Sequence, residues 1–519
     1  MPASAEQPQA RRRGQRTLPG PLLPLGAGLL ATLIGIAGSW IPSFWWDEAA
    51  TVSAADRPLP ALTELVLDRI DAVHGLYYLL MHGWFAVFGF GELSARIPSA
   101  LAVGAGTAAL VQLARTLAGI RVAVLAGAVF MILPRITWAA TEARSYALVA
   151  AMAAVTGLVL VVALRSARRG WWVLYTVVTA VSVVLFFHSA VLVVAHAITV
   201  GVGRRHRLRF AAAATAASAL VAPFAVLAIS QSRQIGWVPP LDSRIAETIA
   251  VDQWFPGAAG FGALCLLIVA AALVVRLVRG PAAAGAAAGP VGVLAVAVPW
   301  LLVPIVLFLG YSAAVDNIYL GRYLIFTTPA LALIVAVAAA RVAPSRVAAA
   351  ALVLVLAAAA LPAYLAQRQP WGKPGGMDYS ALADDLAARA EPGDCVAFQP
   401  SVSWQPTSLR AIEQVRPDAF AGLVDVGFGE SGTDRVSLWD ADAPAEVVAA
   451  RARDCAVVWV VTDGDRTTRS RYLHPANVWW EFAPFRFTDS ELYRALAGAG
   501  FVIAERVPVH HTQLVRMVR

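Results

Sequence analysis

Long apolar runs separated by short polar segments fill most of the chain up to residue 366. A helix needs roughly 20 apolar residues to cross a bilayer, and runs of about that length recur along this part. The pattern therefore predicts about eleven membrane-spanning helices. Their approximate limits are 21–41, 94–117, 120–134, 143–164, 171–187, 189–203, 210–230, 259–278, 291–312, 320–340 and 346–366.

The boundary between the fifth and sixth helices is the weakest, because residues 171–203 are almost continuously apolar around His188. Arginines in the short connections decide it, since cytoplasmic loops carry an excess of Lys and Arg. With eleven helices and a cytoplasmic N-terminus, every arginine cluster lies on the cytoplasmic side of the membrane. Merging the fifth and sixth helices into one would move the later arginine clusters to the outer side. These arginines are Arg115, Arg121, Arg165, Arg168, Arg169, Arg204, Arg205, Arg207, Arg209, Arg276, Arg279, Arg341 and Arg346.

This topology places a long first loop, residues 42–93, on the outer side of the membrane. Residues 59–70 show helical periodicity. The apolar and aromatic residues 75–88 are too few to span comfortably and predict a helix lying in the membrane interface. A second outer segment, 231–258, is either an ordinary connector or a cover over a site.

Charged residues return after residue 366, and the pattern changes to that of a small α/β domain. Three parts follow: a disordered cytoplasmic N-terminus (1–20), a transmembrane catalytic domain (21–366) and an extracytoplasmic α/β domain (367–519). Cys395 and Cys455 each follow an Asp at the start of a strand, so they are candidates for a disulfide in an oxidising compartment. The predicted helices are 379–390 and 489–499, and the predicted strands are 395–398, 456–462, 502–507 and 513–518.

Composition supports a polytopic membrane protein, because 59% of the 519 residues are hydrophobic and 14% are charged, against about 25% charged in soluble domains. The net charge of +8 is concentrated between apolar runs, which indicates membrane topology rather than nucleic-acid binding. Three cysteines are too few for a metal cluster. No metal-site spacing and no nucleotide-binding glycine pattern occurs, so neither a metal nor a cofactor is predicted, and a divalent cation is not indicated.

Two adjacent carboxylates, Asp47 and Glu48, follow the first apolar run directly after Trp45 and Trp46. Carboxylates are costly in hydrocarbon, so the pair is expected just beyond the membrane edge, with the tryptophans at the interface. A hydrated helix end is the plainer interpretation. However, a carboxylate in this position can also act as a general base that takes a proton from an acceptor hydroxyl.

Cationic and aromatic side chains are predicted on the same outer face at the ends of other helices. Arg322 lies just inside an apolar run, which is unfavourable unless the guanidinium meets an anion, so we expect it to bind a phosphate. Arg144 is a second phosphate candidate, with Tyr146 lining an apolar groove. His74 is a candidate substrate contact, and Tyr323 either a contact or an interfacial anchor. Together with Asp47, these residues indicate glycosyl transfer from a polyprenyl phosphate sugar.

Five short motifs, in this order, resemble the GT-C superfamily of membrane glycosyltransferases, in the branch that contains protein O-mannosyltransferases and the lipid A aminoarabinose transferase. The resemblance covers about residues 20–340. The motifs are Trp46-Asp47-Glu48-Ala49, His74-Gly75-Leu76-Tyr77-Tyr78, Glu92-Leu93-Ser94-Ala95-Arg96-Ile97-Pro98-Ser99, Glu142-Ala143-Arg144-Ser145-Tyr146 and Gly321-Arg322-Tyr323.

The resemblance implies an inverting transferase in the bacterial inner membrane. It implies that Asp47 is the catalytic acidic residue of the first loop, Glu48 the second acidic residue of the motif and Arg322 a contact of the donor phosphate. It also implies cavity positions for Tyr78, Glu142, Arg144 and Tyr146. Mannose is the sugar most expected, with arabinofuranose or aminoarabinose as rivals, and the acceptor is an envelope glycolipid, a glycan or a protein.

Two other classes of function compete with the transferase. A transporter or flippase of lipid-linked sugars is expected to show internal repeats and charged groups near the membrane midplane. A non-catalytic assembly protein would use its outer domain to bind a partner. The ionisable residues of this chain cluster instead at helix ends on one side, which favours the enzyme.

Overall fold

Helices make up most of the protein before residue 367. The computed structural model describes residues 20–166, 168–203, 206–279, 292–402, 408–473 and 479–519. Residues 1–19 of the predicted disordered N-terminus, and the predicted inner arginines Arg204 and Arg205, lie outside these ranges.

In chain order the helices are α1 (Leu22–Ile36), α2 (Trp46–Ala55), α3 (Leu59–Glu64), α4 (Gly75–Phe88), α5 (Glu92–Ala118), α6 (Ile120–Ile132), α7 (Pro134–Ala139), α8 (Tyr146–Arg165), α9 (Gly170–Leu185), α10 (Val191–Gly203), α11 (Arg207–Ser230), α12 (Ile245–Glu247), α13 (Ala259–Arg279), α14 (Val293–Ala314), α15 (Thr328–Val342) and α16 (Arg346–Ala366).

Each of the eleven predicted apolar runs contains a helix. In the described ranges, seven helices are long and apolar enough to cross a membrane: α5, α8, α11, α13, α14, α16, and α15 together with the turn before it. The other four, α1, α6, α9 and α10, have 13 to 16 residues, so eleven crossings remain a prediction. The weak boundary near His188 is a true break, because the turn Phe187–Ala190 separates α9 from α10.

Small residues set how closely the first two membrane helices pack. A methyl group added to Gly28 of α1 would lie 2.8 Å from the carbonyl oxygen of Gly104 in α5. Helices in lipid gain little from hydrophobic association, and small residues allow the close backbone approach that stabilises them. Helix α5 also packs against α6 and α8, and α15 packs against α6 and α13. These contacts join the membrane helices into one bundle.

The first outer loop folds into three short helices. Helix α4 has the predicted limits, whereas the predicted helix over 59–70 is divided into α3 and a wider turn, Leu65–Arg69. Asp47 and Glu48 lie in the first turn of α2, where the helix dipole favours negative charge.

The outer end of α8 differs from the prediction. The sequence predicts that this helix begins at residue 143, directly after Glu142, but α8 begins at Tyr146. The preceding turn stays non-helical because side chains bind its backbone. The N–H of Ala143 donates to Glu48 at 2.9 Å, and the carbonyl of Thr141 accepts from Lys373.

The C-terminal region contains a small mixed sheet, as predicted. The strands are β1 (Cys395–Phe398), β2 (Val424–Asp425), β3 (Phe428–Glu430), β4 (Ala441–Asp442), β5 (Val457–Asp463), β6 (Ser470–Leu473), β7 (Trp479–Phe482), β8 (Val502–Pro508) and β9 (Thr512–Val518). The helices are α17 (Tyr379–Ala387), α18 (Ala411–Val415), α19 (Ala445–Arg451) and α20 (Glu491–Gly498). The five main strands have the order β2-β1-β5-β9-β8, with β1 parallel to β2 and β5, and β9 antiparallel to β5 and β8.

A disulfide joins Cys395 to Cys455, which confirms the predicted pairing. Cys395 begins β1 and Cys455 lies two residues before β5, and their Cα atoms are 6.0 Å apart. Because β1 and β5 are neighbouring parallel strands, the bond links the same ends of both. The third cysteine, Cys265, is a free buried thiol in α13.

The C-terminal domain holds α2 at both ends. Before the helix, the N–H of Phe44 donates to the hydroxyl of Ser380 at 3.0 Å. Near its end, Ser53 Oγ donates to the carbonyl oxygen of Leu438, and Arg57 donates to that of Ser437. The helix that carries Asp47 is therefore positioned jointly by the membrane helices and by the C-terminal domain.

Candidate active site

A cavity of about 1450 Å³ lies between α2, the loop before α4, the turn between α9 and α10, the ends of α11 and α14, and a loop of the C-terminal domain. Ligand pockets are typically about 300–1,000 Å³, so this space suits a large ligand. Most of its lining is apolar, with a few charged groups. Six of the nine predicted site residues line it: Asp47, His74, Arg144, Tyr146, Arg322 and Tyr323.

The carboxylate of Asp47 is half-buried in the cavity wall. In the described ranges, no hydrogen-bond donor contacts this carboxylate and no cation forms an ion pair with it. It nevertheless interacts electrostatically with Arg144 and Arg322. Its oxygens are thus available to accept a proton or a hydrogen bond from a bound molecule.

Arg322 lies in the short turn Gly321–Thr327, which precedes α15. Its Nε donates to Tyr146 Oη at 3.0 Å, and its guanidinium lies 5.3 Å from the ring centre of Trp237. Both contacts orient the guanidinium without neutralising it. Because no carboxylate in the described residues forms an ion pair with Arg322, its charge is available to an anionic ligand.

Arg144 presents a second cation to the cavity. It donates to Tyr78 Oη and to His74 Nε2, both at 3.0 Å, while its Nε is buried without a partner. Burial and the charges of Arg144 and Arg322 hold the pKa of His74 well below its usual value, so the imidazole is neutral and accepts the hydrogen bond. Tyr78 is fully buried behind this contact and donates to Asp71 at 2.8 Å.

Asp71 is a second cavity carboxylate that sequence reasoning missed. It lies three residues before His74 and has a left-handed backbone, with φ of 66°. Its N–H donates to Gln234 at 3.0 Å, so the segment 231–258 contacts the first outer loop. Trp237 of the same segment lines the cavity, which favours the cover over the plain connector. A single aspartate in a loop gave no spacing signal that sequence reasoning could use.

A buried four-charge network supports the cavity from behind. Glu48 accepts from Arg96 at 2.6 and 2.8 Å, and Lys373 lies 3.4 Å from Glu48 and 2.8 Å from Glu142. Trp45 Nε1 also donates to Glu142 at 2.8 Å. Glu48 and Glu142 are fully buried and do not line the cavity. Of the predicted substrate contacts, Glu48, Glu142 and Tyr78 therefore lie one layer behind the cavity and position the residues that form its wall.

Lys373 is the only lysine of the chain, and sequence reasoning missed its role. Burial and the neighbouring Arg96 lower its pKa, while the two glutamates oppose that shift. Burial and the charge of Glu48 raise the pKa of Glu142 to about 7, although Lys373 lowers it in part. The positive charge of Lys373 therefore offsets the repulsion between the buried carboxylates of Glu48 and Glu142.

Replacement of Lys373 by methionine is expected to destabilise the protein by about 3–5 kcal/mol, because it leaves Glu142 without a cationic partner. The effect is measured as a lower thermal unfolding temperature of the purified protein in detergent. The double variant Lys373→Met/Glu142→Gln is expected to recover most of that loss. If the single and double variants unfold at the same temperature, the ion pair does not contribute to stability in this way.

Aromatic side chains complete the wall, and four residues from the C-terminal domain, 436–439, close one side. Sequence reasoning did not indicate this contribution. In the described ranges, no group of three or more His, Cys, Asp and Glu residues is placed to hold a metal ion. The charged residues of the lining are two carboxylates, Asp47 and Asp71, and three guanidiniums, Arg69, Arg144 and Arg322, in a largely apolar space.

Comparison with solved structures identifies the fold. The chain is similar to ArnT from Cupriavidus metallidurans in the apo state, with 14% identity, a TM-score of 0.58, and coverage of 95% of this chain and 97% of that one. The same protein bound to undecaprenyl phosphate gives 15% identity and a TM-score of 0.57, with the same coverage.

A third similar structure is the arabinofuranosyltransferase AftD from Mycobacteria, with 15% identity and a TM-score of 0.52. The match covers 97% of this chain and 40% of that one. No protein-family model matches the chain, and no curated protein matches it. The chain has the same fold as ArnT and AftD, which is the GT-C type of fold that the resemblance of the sequence motifs implies.

Proposed function

We propose that this protein is an inverting glycosyltransferase that moves a sugar from a polyprenyl phosphate to an acceptor at the outer face of the membrane. The observation that carries the proposal is the meeting of Asp47, Arg144 and Arg322 in one cavity, although they are far apart in sequence. A carboxylate that accepts no hydrogen bond from the described residues, and that lies in one cavity with two cations, suits a reaction in which a hydroxyl attacks a carbon bonded to phosphate.

The donor occupies the apolar part of the cavity in this proposal. Phe186, Phe187, Leu307 and Phe308 line that part from the ends of membrane helices, where a prenyl chain enters from lipid. The phosphate then lies against Arg322 and Arg144, which offer charge-assisted hydrogen bonds. The structure of ArnT bound to undecaprenyl phosphate is a precedent for such a lipid phosphate on a similar fold.

The reaction follows from these positions. Asp47 takes the proton of the acceptor hydroxyl as its oxygen forms a bond with the anomeric carbon. The bond between that carbon and the phosphate oxygen breaks, and its electron pair stays on the phosphate, where the guanidiniums stabilise the charge. Attack from the face opposite the phosphate inverts the anomeric configuration. Tyr146 and Tyr323 line the part of the cavity that holds the sugar, and His74 positions Arg144 through its hydrogen bond.

Mannose is the proposed sugar, because the motifs of the first loop resemble a branch whose bacterial relatives commonly use polyprenyl phosphate mannose. Arabinofuranose is the alternative, and the similarity to the arabinofuranosyltransferase AftD favours it as the second candidate. The proposed acceptor is a component of the cell envelope. The N-terminus is proposed to be cytoplasmic and the C-terminal domain extracytoplasmic, in line with the positions of the arginines.

A panel of donors tests the proposal. Purified full-length protein is incubated with radiolabelled polyprenyl phosphate mannose, arabinofuranose and aminoarabinose, each with envelope glycolipids as acceptors, and the product linkage is determined. We expect transfer from one donor, with inversion, and none from soluble nucleotide sugars. Transport of a labelled lipid across proteoliposomes without any new glycosidic bond would instead indicate a flippase.

A further inference from the structure

We infer that residues 436–439 of the C-terminal domain, here called the roof segment, form a saccharide-binding wall for the acceptor. The inference rests on the proposed transferase function and specifies its acceptor class. The roof segment lines the same cavity as Asp47, and all four of its residues contribute. It comes from the domain outside the membrane helices, so it faces the side from which a water-soluble group enters.

The position of the base determines where the acceptor hydroxyl must lie. A general base has to approach that hydroxyl to hydrogen-bond distance, about 2.6–3.2 Å. Asp47 follows Trp46 in the first turn of α2, and the ring of Trp46 lies 4.0 Å from that of Trp439 in the roof segment. An acceptor that reaches Asp47 therefore lies beside these two indoles.

The side chains of the roof segment fit an uncharged ring. Val436, Ser437, Leu438 and Trp439 carry no formal charge and offer one hydroxyl. Trp439 is 7% exposed and lines the cavity with Trp46. An indole face packs against the C–H groups of a sugar ring, because the face is electron-rich and those C–H groups carry partial positive charge.

The backbone of the roof segment is already occupied, which disfavours an extended peptide as the acceptor. The carbonyls of Ser437 and Leu438 accept from Arg57 and Ser53. The N–H groups of Val436 and Ser437 donate within the loop at 3.1 and 2.8 Å. A peptide that binds by strand addition needs free backbone groups on its partner, and few remain here.

Hydrogen bonds from Ser53, Arg57 and the loop itself hold the backbone conformation of the roof segment. Val436 has φ of 48°, a left-handed conformation that is rare for a β-branched residue. Such conformations persist where the surroundings determine them and often lie at functional sites. The bond from Ser53 comes from α2 itself, and the bond from Arg57 comes from two residues beyond the end of α2. The roof segment and the helix that carries Asp47 are therefore held in a fixed relation.

Replacement of Trp439 tests the inference in the full-length protein. With Trp439→Leu, we expect the KM for a methyl mannobioside or methyl arabinobioside acceptor to rise about tenfold. The KM for the donor, whose phosphate is assigned to Arg322 and Arg144, should change far less than the KM for the acceptor. Trp439→Phe should restore most of the acceptor affinity. Trp40→Leu is the matched control, since Trp40 is 52% exposed and does not line the cavity.

Saturation-transfer NMR with the same two saccharides measures binding without catalysis. Wild type and Trp439→Phe should transfer saturation to the sugar ring protons, and Trp439→Leu should not, with equal unfolding temperatures showing that the variants are folded. Retained binding or an unchanged acceptor KM in Trp439→Leu would overturn the inference while leaving the transferase function intact. Preference for a serine- or threonine-containing peptide would also overturn it. Saccharide binding that depends on Trp439 in a protein that transfers no sugar would support the wall and contradict the transferase.

Discussion

Replacement of Asp47 by asparagine is expected to reduce sugar transfer about a thousandfold, within the range of roughly 10²–10⁴ that a positioned general base contributes. Asparagine keeps the shape of the side chain but cannot take the proton of the acceptor hydroxyl. The loss should lie in kcat, because the donor phosphate contacts Arg322 and Arg144 rather than this carboxylate. Initial rates with labelled donor, measured over a range of donor concentrations, check both points.

Asp56 provides the matched control for that experiment. It is the exposed residue that caps the end of α2, on the helix that carries Asp47, and it does not line the cavity. Asp56→Asn should transfer sugar at the wild-type rate and unfold at the wild-type temperature. If Asp47→Asn retains more than about a tenth of the activity, the acceptor proton goes to another group, and Asp71 is the carboxylate to examine because it lines the same cavity.

Replacement of Arg322 by alanine should lower kcat/KM for the donor by about 10²–10³-fold, comparable to removal of one preorganised donor that stabilises developing charge. The guanidinium is oriented by Tyr146 and Trp237, so little reorganisation is needed when charge develops on the phosphate. Arg322→Lys should recover only part of the loss, because an ammonium lacks the planar fork that binds two phosphate oxygens and stacks on an indole.

Direct binding separates the role of Arg322 from that of Asp47. Undecaprenyl phosphate should compete with the donor in wild type and in Asp47→Asn, and it should compete much less in Arg322→Ala. Arg233→Ala is the control, because Arg233 is exposed in the same outer segment as Trp237 and does not line the cavity. Equal competition by the lipid phosphate in wild type and Arg322→Ala would contradict the phosphate assignment.

The buried network explains why two of the predicted acidic residues differ in role from Asp47. Neighbouring residues on a helix point in different directions, so Asp47 faces the cavity while Glu48 faces Arg96 and Lys373. The motif identified both acids but contained no information on which one is exposed to the ligand. That distinction depends on helices that pack against α2 from distant parts of the chain.

The sequence alone determined the features that depend on local composition. The lengths of the apolar runs predicted all eleven helices, and the break near His188 followed from the arginines on either side. Short apolar runs predicted the main strands of the C-terminal sheet, and charged residues that are unfavourable in lipid indicated Asp47, Arg144 and Arg322. These inferences succeed because the length of an apolar run and the cost of charge in hydrocarbon are properties of the residues themselves.

Only the tertiary structure decided which side chains share the cavity and which support it. Asp71, the single lysine at position 373 and the roof segment are isolated in sequence, and each acquires a role when a distant segment packs beside it. The roof segment lies nearly 400 residues from Asp47 in the chain, yet the ring of Trp439 contacts that of Trp46. Such proximity arises from the joint packing of membrane helices and the C-terminal domain, a long-range property that residue spacing does not encode.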